Sequence, residues 1–86
     1  MQEKDADYIE YQLINKLQYS EKRARDLLYG IMEIYNSFDR VYNALIPELI
    51  KNQDLDRNEL QEWIWTIREE FRHIDYHVQD AELTNL

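Results

Sequence analysis

Two stripes of apolar residues share one stagger along this chain. The first runs Ala24, Leu27, Ile31, Ile34, Phe38, Val41, Leu45, and the second Leu60, Ile64, Ile67, Phe71, Ile74, Val78, Ala81. Each alternates steps of three and four residues, which puts its side chains along one side of an α-helix and leaves that side in need of an apolar partner. The only proline, Pro47, lies between them. The pattern predicts an antiparallel hairpin of two long helices, spanning about 20–46 and 57–81, with each stripe covering the other. In that register Leu45 lies near Leu60, Phe38 near Ile67 and Ala24 near Ala81. Phe38 is then core, and Phe38→Ala costs about 3 to 5 kcal/mol.

Local signals set the boundaries. Asp7 and Glu10 have the spacing of a capping box, so a shorter N-terminal helix is expected over about 6–18, with Ala6, Ile9, Leu13, Ile14 and Leu17 as its apolar side. A break is expected at 18–20, because Ser20 readily leaves a helix to cap the next one and Glu21 suits the positive end of that helix's dipole. Pro47 lacks an N–H and disfavours helical geometry at Ile46, so the central helix should stop or kink there. Asp56 and Glu59 form a second capping box, with Leu55 and Leu60 placed as a hydrophobic staple, which starts the last helix at Arg57. Beside the main stripe of the central helix run Leu28, Tyr35, Tyr42 and Leu49, seven apart, so this helix needs a second neighbour. The N-terminal helix supplies part of it, and a symmetric homodimer is expected to supply the rest.

Composition agrees with a folded all-α chain. Of 86 residues 44% are hydrophobic, seven are Tyr, two Trp and two Phe, and a single Gly and a single Pro leave few places to turn. This length makes one domain, 1–86, with a thin core. The net charge of −8 argues against direct binding of nucleic acid, which requires a basic face. There is no cysteine, hence no disulfide or thiolate metal site. No apolar run approaches a membrane span and the acidic N-terminus lacks the pattern of a signal peptide, so a cytoplasmic location without membrane binding is expected.

Candidate chemistry is sparse. Glu70, His73 and His77 are spaced to share a helix face, as metal ligands would be, yet only one Glu-x-x-His segment occurs, and the three read as a solvated flank of the seam. The carboxylate pairs Asp5 and Asp7, Asp54 and Asp56, Glu59 and Glu62, and Glu69 and Glu70 read as caps and surface, since a thin bundle has little room for the dry pocket that acid–base catalysis needs. No enzyme activity, cofactor or metal is expected. A different strip draws attention: Trp65, Arg68, Arg72 and Tyr76 recur on the outer side of the last helix, and Tyr29 and Met32 lie off the main stripe of the central one. These residue types are enriched at protein interfaces, so the six are the candidate partner-binding residues. The expectation is a small acidic protein-binding module, a regulator or inhibitor of the kind that bacteria and their phages encode. A nucleic-acid mimic and a purely structural homo-oligomer are the alternatives, the mimic weakened by the Lys and Arg residues that interrupt the acidic surface.

Overall fold

The computed structural model describes residues 1–81, and of Ala81 the backbone only. The fold is an all-α bundle built on a long antiparallel helix hairpin, with a shorter N-terminal helix packed on one end. Helix α1 (Glu3–Tyr11) continues into a wide π-type turn over Gln12–Lys16. Helix α2 (Glu21–Arg40) continues through a second wide turn, Val41–Leu45, into α3 (Ile46–Lys51). Helix α4 (Arg57–Ala81) runs back along α2. The molecule is long and flat, 53 × 28 × 14 Å, so few side chains can be surrounded on all sides.

Most boundaries follow the local chemistry. The Ser20 Oγ accepts from the Arg23 N–H at 3.1 Å, capping α2 where a break is expected. Just before it, Gln18 takes φ 61°, the left-handed conformation that ends helices, and the Tyr19 N–H donates to the Leu13 carbonyl at 3.0 Å. That closure spans one residue more than a regular Schellman turn because the helix has already widened. At α4 the Asp56 carboxylate accepts from the Glu59 N–H at 2.8 Å. The Glu59 side chain does not reach back to Asp56; it accepts from the Asn52 amide at 2.6 Å and ties the connection to the helix instead.

Two boundaries differ from expectation. Helix α1 begins at Glu3 after Gln2, which makes no side-chain cap, so Asp7 and Glu10 lie inside the helix and do not form a capping box. Pro47 does not end the central helix. It occupies the first turn of α3, where its missing N–H is least costly, and the wide turn before it relieves the clash between its ring and the preceding turn.

The hairpin seam also differs. Phe38 is half exposed and not core, and its ring lies edge-on to Phe71, centroids 6.3 Å apart, one helical turn further along α4 than Ile67. Arg40 pairs with Glu70 at 3.2 Å and the Trp63 indole N–H donates to the Leu45 carbonyl at 3.0 Å, which fixes the same shifted register. The expected pairing of Ala24 with Ala81 concerns a side chain outside the described residues. The helices approach along Gly30 and Ser37, two small residues seven apart, on which His77 and His73 rest. Small side chains facing large ones let the backbones come close, and that choice turns the apolar stripes partly out of the seam. Phe38, Ile64 and Phe71 remain 50%, 52% and 49% exposed.

Within the seam Val41 and Ile74 are the buried members of the two stripes, and the largest buried cluster is at the other end. Leu13, Ala24 and Leu27 form the core cluster, with Ile9, Ile14 and Tyr19 packed against it. Helix α1 with its wide turn reaches only about 21 Å, against about 46 Å for the run from Glu21 to Lys51, so it covers roughly half of the central helix.

Candidate functional site

Two surfaces stand out. The first is the apolar side of the hairpin beyond the reach of α1, where Tyr35, Phe38 and Tyr42 from the central helix and Leu60, Ile64 and Phe71 from α4 are exposed. None of these six carries a charge. Large apolar groups exposed on two adjacent helices, with Phe38 and Phe71 in edge-on contact, are costly to leave in water.

The expected partner strip lies largely on the other side of the hairpin, with Arg68 on the outer edge of α4 between Trp65 and Phe71. A helical projection at 100° per residue puts Trp65, Arg72 and Tyr76 of α4, and Tyr29 of α2, across the seam from Phe38 and Phe71. Trp65 is 57% exposed, and the Arg68 guanidinium sits 5.4 Å from the centre of its ring. Such a cation–π contact is worth about 0.5 to 1 kcal/mol at an exposed site, enough to orient the indole without burying it. Arg72 pairs with Glu69 at 3.2 Å. Tyr76 and Tyr29 both stand edge-on to His77, at 5.2 and 5.9 Å between centroids, so these two are brought together across the hairpin. Met32 is half-buried. Trp65 and Arg68 thus form one cluster, and Tyr76 with Tyr29 another, about two to three turns along α4.

Between these surfaces is a polar cluster inside the seam. His77 is not part of a solvated flank, being only 8% exposed, whereas His73 is partly solvated at the seam's edge; both face α2. Their Nε2 atoms lie 3.1 Å apart. The Glu33 carboxylate approaches His73 Nε2 at 3.4 Å, and the Ser37 hydroxyl lies 2.7 Å from His73 Nδ1. Glu70, the carboxylate that helical spacing nominated, points instead to Arg40. Glu33 and Ser37 went unnoticed in the sequence because they belong to another helix. The signal was the turn-by-turn set Gly30, Glu33, Ser37, which places two small residues and one acid on the side of α2 that faces the histidines.

No helix among the described residues is long and apolar enough to cross a membrane. No protein-family model matches the chain, and neither a curated protein nor a solved structure is similar to it.

Proposed function

We propose that this protein is a non-enzymatic protein-binding module that works as a symmetric homodimer, a second copy covering the half-exposed apolar side of the hairpin. The observation that carries the reading is the half-exposure of Phe38, Ile64 and Phe71 on one face of two long helices. A two-fold axis through that face would bring the same patch of each copy together, as an isologous interface requires, and would complete a four-helix layer. Charge supports the choice of occupant. Each copy carries −8, and the six large side chains at the centre of the face are neutral, with Arg57, Arg68 and Asp75 of α4 projecting beside them, so both signs of charge border the contact.

The dimer would leave the Trp65 and Arg68 cluster and the Tyr29 and Tyr76 cluster facing outward on both copies. Trp, Tyr and Arg dominate interface hot spots, and this side is the surface offered to a further protein, in keeping with a small regulator or inhibitor. Light scattering of the purified chain at micromolar concentration should give twice the 10.6 kDa chain mass. Phe71→Glu, which puts a charge into the face without touching the α1 core, should return it to the monomer mass. A wild-type monomer at that concentration would overturn the dimer.

A further inference from the structure

We infer that Glu33, His73 and His77 form a binding site for a divalent transition-metal ion, with zinc the best fit. The three side chains offer ligand atoms that all lie within 4.8 Å of one another, contributed by two helices that the seam holds together. Two nitrogens bound to one tetrahedral ion at 2.0–2.1 Å sit about 3.3 Å apart, and at a right angle about 2.9 Å. The observed separations, 3.1 Å between the two Nε2 atoms and 3.4 Å from His73 Nε2 to the Glu33 carboxylate, lie close to those values. The two edges that meet at His73 already have the length of a coordination sphere's, and closing the third, between His77 and Glu33, starts from a separation within 4.8 Å.

The hydrogen bonding around the cluster accommodates an ion. The Ser37 hydroxyl can donate to His73 Nδ1 or accept from Nδ1–H; in the second arrangement His73 presents the lone pair of Nε2 inward, which is the tautomer a metal needs and the usual role of a neighbour to a ligating histidine. In that tautomer the lone pair faces a carboxylate, two acceptors with no proton between them. The His77 N–H can satisfy one of them only. A cation at the centre satisfies all three ligand atoms at once, since each offers a lone pair to the same point.

The donor set selects the ion. Two imidazoles and one carboxylate suit zinc, cobalt, nickel or copper, whereas magnesium and calcium prefer an all-oxygen shell. Three protein ligands leave a position for water, so affinity should fall below that of a closed four-ligand structural site. Access is available: the Glu33 and His73 side chains are 28% and 41% exposed, and a groove lined by Glu33, Asn36, Ser37 and His73 opens to solvent beside them. The neighbouring Arg40, the one cation lining that groove, is already paired with Glu70. This inference is independent of the dimer.

The test is titration of the chelator-treated full chain with zinc and, separately, with cobalt, followed by calorimetry and by the visible absorption of bound cobalt. One ion per chain is expected, magnesium should not compete, and zinc should raise the melting temperature. Glu33→Gln, a partly exposed and nearly isosteric change, and His77→Ala should each weaken zinc binding tenfold or more and abolish the thermal shift. Ser37→Ala should weaken it about tenfold while leaving the stoichiometry intact, the behaviour of a residue that positions a ligand. Should His77→Ala fail to fold, Glu33→Gln decides alone. Absence of saturable binding below about millimolar zinc, or binding unchanged in Glu33→Gln, would overturn the site.

Discussion

The two ends of the hairpin carry similar apolar stripes and meet different fates. At the open end α1 lies on α2, and Ala24 and Leu27 are buried with Leu13. Toward the turn α1 is absent, and Phe38, Ile64 and Phe71, spaced by the same helical rule, stay half in water. The apolar period therefore tells which side of a helix seeks cover. Whether cover exists depends on the length of a third helix, and α1 is too short to reach.

Paired truncations sharpen this contrast most. Leu27→Ala removes a buried side chain from the covered end and should cost about 2 to 5 kcal/mol. Phe38→Ala, measured at concentrations where the chain is monomeric, should cost about 1.5 kcal/mol because half of the ring is already solvated. Denaturant melts of both variants check the ratio; equal losses would mean that the two ends are equally covered. Next in size is the cap of α2, where Ser20→Ala should cost about 1 kcal/mol by freeing the Arg23 N–H, readable in the same melts.

Smaller effects mark the surface and the turn. Trp65→Ala should leave stability within about 0.5 kcal/mol and the dimer mass unchanged, since the side chain is 57% exposed with Arg68 over its ring. A loss of about 3 kcal/mol would instead make the indole part of the core. Gln18→Gly should gain about 0.5 kcal/mol, because the left-handed conformation at φ 61° suits glycine and strains a side chain. A destabilised glycine variant would mean that the Gln18 side chain does more than occupy the turn.

Much of the fold was legible because short-range chemistry decides it. Ser20 and Asp56 cap the helices they were expected to cap, and the three-four spacing drew the long hairpin. The register was not legible by the same rule. Counting apolar residues passes over Gly30 and Ser37, yet these small groups let α4 approach and bring His73 and His77 into the seam. The shift of one turn, from Ile67 to Phe71 opposite Phe38, follows from that choice. At Pro47 a stop or a kink was expected and the stop does not occur: the helix passes through a widened turn and continues with the proline in the next first turn, and the widening itself has no clear sequence signal. The Glu33, His73 and His77 cluster needs two helices to form, so spacing within α4 could offer only half of it and proposed Glu70 for the rest.

The most direct test of the central claim, that the uncovered half of the hairpin is closed by a second copy, is the melting temperature as a function of protein concentration. Association that accompanies folding makes the midpoint rise with concentration, whereas a monomer melts at one temperature throughout. The wild-type chain should show a steady rise over a hundredfold range, and Phe71→Glu should show none while still unfolding cooperatively. A concentration-independent midpoint in the wild type, matched by Phe71→Glu, would contradict the account and leave Phe38, Ile64 and Phe71 as a face that this chain keeps open.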